Sequence, residues 1–355
     1  MIESAYIHIP FCKSICSYCD FPKVLYNKCY IDKYLSSLER EIKARYKHET
    51  LKTIYIGGGT PSSLNKLELE RLFNIINILK KNRNIEYTIE ANLDSLTKEK
   101  LDLFKKAGVN RLSIGIESFS KKNLNFLERN LNNIELINYA KKIGITNINI
   151  DLMYALKNET IDDLKKDLAE VLKLDIKHIS TYSLILEPNT KLYNSKFKPI
   201  SEDLDYKMYE LICNTLKKNG FIHYEISNFS KPGFYSKHNM TYWNNKKYYG
   251  FGMGASGYID NIRYTNTKSI TKYINGIYDY NREILEKKDI MEYEMILGLR
   301  KLEGVNYLDF YKKFNIKLEE KFNVQNLIKE GNFYKIPEDK LYVSNDILLD
   351  FIGEE

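Results

Sequence analysis

Three cysteines near the start of the chain have the type and spacing of a metal-binding loop. Cys12, Cys16 and Cys19 are separated by three residues and then by two. Thiolates at this spacing can bind three corners of a [4Fe–4S] cluster. The other two cysteines, Cys29 and Cys213, lie far apart in the sequence and are interpreted as packed or incidental thiols. The spacing therefore favours a cluster on the first three.

The alternatives are a zinc site completed by His8 or Asp20, and thiols that bind nothing. Zinc sites of this size usually combine two C-x2-C pairs, and the sequence has no second pair. Electron-transfer clusters use four cysteines, so a three-cysteine loop leaves one iron without a protein ligand. An open iron can chelate the amino and carboxylate groups of S-adenosylmethionine (SAM) and reduce its sulfonium, which yields a 5′-deoxyadenosyl radical.

A glycine-rich run at 57–62 is the second candidate site. Glycines let backbone N–H and C=O groups approach a ligand closely, and Thr60 adds a hydroxyl. The run is not a P-loop, because no Gly-Lys-Ser/Thr follows. A plain turn explains such a triplet equally well, so the glycines alone leave both interpretations open.

A third candidate is the segment 224–258, which combines His238 with many tyrosines, several glycines and Trp243. Flat rings beside an imidazole suit a planar macrocycle, and histidine is a common axial ligand of haem. A single histidine among aromatic residues is more often a hydrogen-bonded structural residue.

Short β-rich runs alternate with amphipathic stretches over the first half of the chain, which predicts the fold class α/β. The predicted strands are 5–9, 53–56, 87–90, 111–114, 147–152 and 178–185, and the predicted helices between them are 30–46, 67–80, 98–106, 134–143 and 161–172. A partial (β/α)6 barrel and an open doubly wound sheet both fit this pattern. Either fold gathers functional groups at the carboxyl ends of its strands, where Glu90, Glu117 and Asp151 fall.

The second half of the chain has a less regular pattern. Pro188 and Pro199 bracket a predicted linker, a helix is predicted over 202–218, and the tail from about 289 predicts helices and a small winged element at 333–343. We therefore predict a partial barrel at 1–190, a substrate- or haem-binding region at 200–285, and a C-terminal helical and winged element at 286–355.

Composition limits the class of partner and the compartment. The net charge is +7, but the basic residues occur as scattered pairs with acidic residues between them. A nucleic-acid protein would cluster them on one face, so no nucleic-acid partner is predicted. No window approaches the roughly eighteen apolar residues of a membrane span, and the N-terminus lacks the features of a secretory signal. We expect a cytoplasmic protein without a transmembrane segment.

The sequence around the cysteines resembles a known family. Residues 6–12 (YIHIPFC) and 16–21 (CSYCDF) are similar to the opening of the HemW-type haem chaperones, which are radical SAM proteins related to the oxygen-independent coproporphyrinogen III oxidase. The resemblance extends from residue 6 to at least residue 300. It implies a partial (β/α)6 TIM-like barrel of the radical SAM type with a smaller C-terminal α+β region, a [4Fe–4S] cluster, SAM and haem.

The resemblance also implies roles for individual residues. It assigns the cluster to Cys12, Cys16 and Cys19. A carboxylate suits the ribose hydroxyls of SAM, and a guanidinium suits its carboxylate. The His-Asn-x-x-Tyr-Trp pattern at 238–243 is associated with haem in the family, which makes His238 the predicted haem contact. The predicted SAM contacts are Tyr6, Tyr18, Gly58, Gly59, Thr60, Glu90, Glu117, Arg129 and Asp151.

The chain departs from the family pattern at four positions. Glu117 replaces the usual Gln, Leu131 replaces a common His, Ala155 stands where the family has a Gly-Leu-Pro turn, and Ser256 replaces a His. Glu117 can still accept a hydrogen bond, but it adds a negative charge near the expected adenosine.

Three functions compete: a haem chaperone, an oxygen-independent coproporphyrinogen III oxidase-like decarboxylase of porphyrin biosynthesis, and another radical SAM enzyme. Phe21 favours the first, because the decarboxylase group typically has a further cysteine at this position. That group also has an N-terminal extension, whereas five residues precede Tyr6 here. The expected partners are haem and client haemoproteins, with membrane respiratory proteins among the candidate clients and a homodimer as one assembly. The sequence leaves open whether the protein is an enzyme.

Overall fold

Strands and helices alternate along the chain in a computed structural model that describes residues 1–188 and 190–353. The strands are β1 Ser4–Ile9, β2 Phe11–Cys12, β3 Val24–Leu25, β4 Leu51–Gly58, β5 Lys81–Ala91, β6 Arg111–Glu117, β7 Asn147–Tyr154, β8 His178–Ser183, β9 Ile222–Glu225, β10 Asn228–Ser230, β11 Tyr249–Phe251, β12 Ser256–Ile259, β13 Ile262–Asn266, β14 Asp279–Ile284, β15 Val305–Asn306, β16 Ile328–Glu330 and β17 Phe333–Lys335. The helices are α1 Lys28–Arg45, α2 Lys66–Ile76, α3 Lys98–Lys106, α4 Lys121–Phe126, α5 Glu135–Lys142, α6 Ile161–Lys173, α7 Lys191–Asn194, α8 Glu202–Lys218, α9 Lys237–Trp243, α10 Ile270–Ile274, α11 Lys287–Gly298, α12 Tyr307–Phe314, α13 Leu318–Lys321 and α14 Ser344–Leu349.

A nine-stranded sheet forms the centre of the fold, in the order β11-β1-β4-β5-β6-β7-β8-β10-β9. The six strands β1, β4, β5, β6, β7 and β8 are parallel neighbours in chain order. Helices connect them, as a parallel arrangement requires. The predicted α/β class and partial (β/α)6 barrel are confirmed.

The two faces of the sheet differ in polarity, which separates the core from the site. In β6, Leu112, Ile114 and Ile116 are buried in the main apolar core. Alternate side chains of a strand point to opposite faces, so Arg111 and Ser113 lie on the other face, inside the barrel. The same alternation in β5 and β7 gives the barrel a polar interior.

The predicted helices 98–106 and 202–218 have the bounds of α3 and α8. The predicted helix 67–80 is too long, because α2 ends at Ile76. The strand predicted at 87–90 is too short, because β5 already begins at Lys81, where it pairs with Leu51 of β4. Residues 81–84 are polar, so their pairing leaves no apolar signal in the sequence.

The region after residue 200 contributes to the same sheet. β11 adds a parallel strand to β1, and β10 adds an antiparallel strand to β8. Between these strands, α9 contacts β4 through a hydrogen bond of 2.8 Å between His238 Nδ1 and Thr53 Oγ1. The Thr241 hydroxyl contacts Ser4 at 2.9 Å. Thr53 and Ser4 lie at the amino ends of their strands, so α9 closes that end of the barrel.

The C-terminal region has an apolar core of its own. Met295, Phe310, Phe322 and Phe351 are among its buried residues. Helices α11 to α14 surround a small antiparallel sheet of order β15-β17-β16. The boundaries predicted at 190, 200 and 286 stay predictions, and residues 189, 354 and 355 lie outside the described residues.

Candidate functional site

A cavity of about 400 Å³ lies at the carboxyl ends of the parallel strands. Its mouth is formed by the cysteine loop, and its walls continue down the barrel interior. Cys12, Cys16 and Cys19 all line it. A volume of this size is ordinary for a small-molecule site. The cavity is therefore the candidate site of this chain.

Short strand pairing holds the cysteine loop in place. Phe11 and Cys12 of β2 lie in register with Val24 and Leu25 of β3, which closes the loop between them. The N–H of Tyr26 donates to the Cys12 carbonyl at 2.8 Å. The three sulfurs are thus carried on a short loop anchored at both ends directly after β1.

The glycine run packs against this loop and must lack side chains. A Cβ on Gly59 would lie 2.7 Å from the Pro10 carbonyl carbon and 3.0 Å from Cys12 Sγ. Gly58 has a φ of +118°, and a Cβ there would collide with the His8 ring. The glycine run is therefore more than a plain turn, because its backbone contacts the cysteine loop.

All five cysteines are free, and two of the three loop sulfurs accept hydrogen bonds. Thr60 Oγ1 donates to Cys12 Sγ at 3.6 Å, and Arg129 Nη1 donates to Cys16 Sγ at 3.8 Å. Burial raises the pKa of the Cys12 thiol to about 11, partly opposed by the Thr60 hydrogen bond. A bound cation would favour the thiolate, since metal ions deprotonate the thiols that ligate them.

The contacts of the cysteine loop do not offer His8 as a fourth ligand of a zinc ion. His8, one of the two predicted completing ligands, has both ring nitrogens in hydrogen bonds, 2.6 Å from the Pro22 carbonyl oxygen and 2.9 Å from the Tyr6 hydroxyl. Among the described residues, no three Cys, His, Asp or Glu side chains are grouped as ligands of one ion. In a cubane cluster each thiolate binds its own iron, so the sulfurs lie farther apart than they do around one ion.

Two carboxylates line the wall below the glycine run. Glu90 accepts hydrogen bonds from the Tyr55 hydroxyl at 2.8 Å and from the Gly58 N–H at 2.9 Å. Asp151 accepts one from the Asn149 amide at 2.8 Å. Burial raises the pKa of both carboxyl groups, that of Glu90 to about 7. Glu90 thereby holds the glycine run in position.

Glu117, which departs from the family pattern, forms an ion pair across the cavity. Arg129 Nη2 lies 3.3 Å from Glu117 Oε1 and also donates to the Gly115 carbonyl at 2.9 Å. Burial raises the pKa of Glu117 to about 7 in spite of the Arg129 charge. Glu117 has a φ of 68°, so the strand ends in a left-handed residue that turns this side chain back over the cavity.

Family models match two parts of the chain, the radical SAM superfamily over residues 6–171 and the HemN C-terminal domain over residues 285–332. The heme chaperone HemW of Lactococcus lactis is 43% identical, over 91% of this chain and 88% of the relative. The heme chaperone HemW of Bacillus subtilis is 38% identical, over 99% of this chain and 100% of the relative.

The chain belongs to the HemW family. The resemblance seen in the sequence is thereby confirmed. A solved structure of coproporphyrinogen III oxidase (HemN) from Escherichia coli superposes with a TM-score of 0.87 over 99% of this chain and 90% of that chain. At 21% identity, this similarity shows that the chain has the same fold as that structure.

The structure brings most of the predicted site residues of this HemW-family chain together. The residues that line the cavity beside the three cysteines are Tyr18, Gly58, Gly59, Thr60, Glu90, Glu117, Arg129 and Asp151. Tyr6 is not among the lining residues. Its hydroxyl bonds to His8, and its ring lies 6.1 Å from the ring of Tyr55, which does line the cavity.

His238 also lies outside the cavity lining, and the haem contact predicted for it stays a prediction. The side chain is 1% exposed. Its Nδ1 lies 2.8 Å from Thr53 Oγ1, and its Nε2 lies 2.8 Å from the Tyr242 hydroxyl. The ring also stacks on Tyr55. In this arrangement both ring nitrogens have hydrogen-bond partners.

Sequence reasoning missed several polar residues of the lower wall, among them Tyr55, Arg111, Asn149 and Ser180. A signal for them exists in the sequence. Polar residues alternate with apolar ones through β6 and β7, and a polar residue at every second position indicates a polar barrel interior.

Proposed function

We propose that this protein holds a [4Fe–4S] cluster on Cys12, Cys16 and Cys19 and binds SAM in the cavity behind them. One observation carries the proposal: three free cysteines meet at the mouth of a cavity lined by eight of the nine predicted SAM contacts. When bound, such a cluster supplies an electron to the sulfonium of SAM. Hydrogen bonds from Thr60 and Arg129 to the sulfurs favour the thiolate state.

Different residues of the cavity would bind different parts of SAM. Gly58 and Gly59 give close backbone access, while Glu90 and Asp151 offer acceptors for hydroxyl groups. Arg129 offers a guanidinium next to the cluster cysteines for a carboxylate. Tyr6 would act from behind Tyr55 as a positioning residue.

We further propose that the protein binds haem and acts as a haem chaperone that delivers haem to client haemoproteins. The names of its relatives support this proposal, as does Phe21, which lies at the mouth with 60% of its surface exposed. Free thiols in all five cysteines suit the reducing cytoplasm. The described residues contain no helix that could span a membrane. Membrane respiratory proteins as clients and a homodimeric assembly stay proposals.

Cysteine variants test the cluster. Protein reconstituted anaerobically with iron and sulfide should carry close to four irons per chain, because three thiolates can hold one cubane. Cys12→Ala, Cys16→Ala and Cys19→Ala should each lose most of this iron. Cys29→Ala is the matched control, since Cys29 is an exposed thiol on α1 and should keep the full count. Full iron in the loop variants, or a protein that takes up only zinc, would contradict the assignment.

A haem titration tests the chaperone proposal. Wild-type protein should shift the Soret band of haem, whereas incubation with SAM, reductant and coproporphyrinogen III should give no decarboxylated product. Because both His238 nitrogens are occupied, His238→Ala should leave the Soret shift unchanged but lower the stability by about 2–4 kcal/mol, as expected for a buried ring with two hydrogen bonds. A lost Soret shift in folded His238→Ala would support His238 as the predicted haem contact.

A further inference from the structure

Arg111 is a buried arginine inside the cavity whose Nε atom has no partner among the described residues. It begins β6, lines the cavity and is 2% exposed. Its Nε has no hydrogen-bond partner. The ion pair of the cavity is that of Arg129 with Glu117, and Arg111 forms none with the described residues. A buried charge is costly unless it is paired, so an unpaired guanidinium here requires an explanation.

The carboxylates around Arg111 are bonded to other groups. Glu86 accepts the N–H groups of the first two residues of α9, at 3.1 and 3.0 Å. Glu90 accepts from Tyr55, and Asp151 accepts from a neighbouring amide. Arg111 is near enough for its charge to lower the pKa of Glu90 and Asp151, but it forms no ion pair with any carboxylate in the described part of the chain.

The residues beside Arg111 in the sheet also carry unpaired polar atoms. Thr88 of β5 and Asn147 of β7 lie in register with Arg111 on its two sides. Thr88 Oγ1 and Asn147 Oδ1 are buried without a hydrogen-bond partner. Buried polar atoms in native proteins are nearly always bonded, and of these three residues only Arg111 lines the cavity, so its guanidinium is the group that a ligand there can reach.

We propose that Arg111 is an anion-binding residue at the inner end of the cavity and that it takes a propionate carboxylate of the bound tetrapyrrole. This inference rests on the proposed haem binding. The planar guanidinium matches a carboxylate in a two-pronged hydrogen bond. Because Arg111 is almost fully buried, only a slender arm that ends in an anion can reach it.

The test compares haem with its dimethyl ester, in which both carboxylates are masked. Haem should bind the reconstituted full-length wild-type protein about 10- to 100-fold more tightly than the ester, the range that corresponds to a charge-assisted hydrogen bond. This comparison needs no variant, so it holds even if Arg111 is required for folding.

Variants then assign the difference to Arg111. In Arg111→Met, haem should bind as weakly as the ester does, and the preference for the free acid should disappear. Arg111→Lys should keep part of the preference, because it retains the charge without the fork of donors. Arg282→Met is the matched control, since Arg282 is an exposed arginine of β14 that pairs with Asp279 outside the cavity.

Three results would overturn the proposal. Equal affinity of wild-type protein for haem and its ester would show that no carboxylate is bound. An equal ester penalty in wild-type protein and Arg111→Met would place the carboxylate elsewhere. A comparable loss of SAM affinity in Arg111→Met, measured by equilibrium dialysis, would assign Arg111 to the carboxylate of SAM. If wild-type protein binds no haem at all, the proposed function itself fails, and this outcome is distinct from those three.

Discussion

Ala155, one of the departures from the family pattern, has an unusual backbone conformation. It follows β7 with a φ of 61°, in the left-handed region where a Cβ is unfavourable, and it is 3% exposed. The family has glycine in this turn, which adopts that conformation without a steric cost. Ala155 thus occupies a left-handed position that suits glycine better than alanine.

Ala155→Gly should therefore stabilise the protein slightly. Relief of a left-handed alanine is worth roughly 1–2 kcal/mol, and the buried methyl group contributes about 0.8 kcal/mol in the other direction. We expect a net gain below about 1 kcal/mol in urea unfolding of cluster-free protein. Ala107→Gly is the control, since Ala107 caps α3 in the right-handed region and should lose stability. A loss of stability in Ala155→Gly would show that the methyl contact outweighs the strain.

At the scale of elements, α9 is the least expected part of the fold. It has seven residues, too few for a periodic signal, and its histidine and aromatic residues suggest a ligand site. In the structure its first N–H groups are bound by Glu86 of β5, which is 5% exposed. The helix therefore closes the amino end of the barrel through polar contacts that come from strands far away in the sequence.

Replacing Glu86 tests this closure. Glu86→Gln keeps the shape but turns an NH2 group toward one of the two N–H donors, which should cost about 1–3 kcal/mol for a buried donor left without an acceptor. Urea unfolding measures the loss. Glu170→Gln, at an exposed ion pair with Lys173 on α6, should change stability by less than about 1 kcal/mol. Equal effects of the two changes would show that the contacts to α9 contribute little.

The sequence predicts the six strands, the main helices and the cysteine loop because each is encoded locally, by periodicity or by spacing. It does not predict that β11 joins β1 or that His238 is buried, since both depend on pairing across long stretches of chain. The cavity residues fall between these cases. Glu90 and Asp151 can be predicted as site residues because they lie at strand ends. Arg111 can be predicted only from the alternation of polar and apolar residues along its strand.

At the scale of the whole molecule, two sets of buried groups change the free energy of unfolding with pH in opposite directions. Burial raises the pKa of Glu90, Glu117, Glu159 and Glu225 to about 7. Burial also lowers the pKa of His8 and His223 to about 4, of His238 to about 3, and of His178 well below its usual value. Ionisation of the buried glutamates is opposed in the folded state, so the free energy of unfolding falls as pH rises from about 4.5 to 7. Protonation of the buried histidines is opposed in the same way, so the free energy of unfolding also falls as pH drops below about 6.5.

Glu159→Gln isolates one of these contributions away from the cavity. Glu159 is buried and accepts the Leu156 N–H at 3.0 Å. Wild-type protein should lose stability relative to this variant as pH rises from about 4.5 to about 7, because the folded state resists ionisation that the unfolded state allows. Urea unfolding at pH 5, 6, 7 and 8 should show a difference that grows and then levels off. A difference that does not change with pH would contradict the raised pKa.

The pairing of β11 with β1 determines when the central sheet can form completely during synthesis. The partners of β1 on one side come from late in the chain: Ala5, Tyr6 and Ile7 pair with Tyr249, Gly250 and Phe251. The Tyr34 hydroxyl links the same two regions, because it donates to the His8 carbonyl and accepts the N–H of Met253. During synthesis, one edge of β1, the strand that leads into the cysteine loop, therefore stays without its β11 partner until more than two thirds of the polypeptide has left the ribosome. A cysteine loop carried on that strand therefore reaches its final surroundings only late in synthesis.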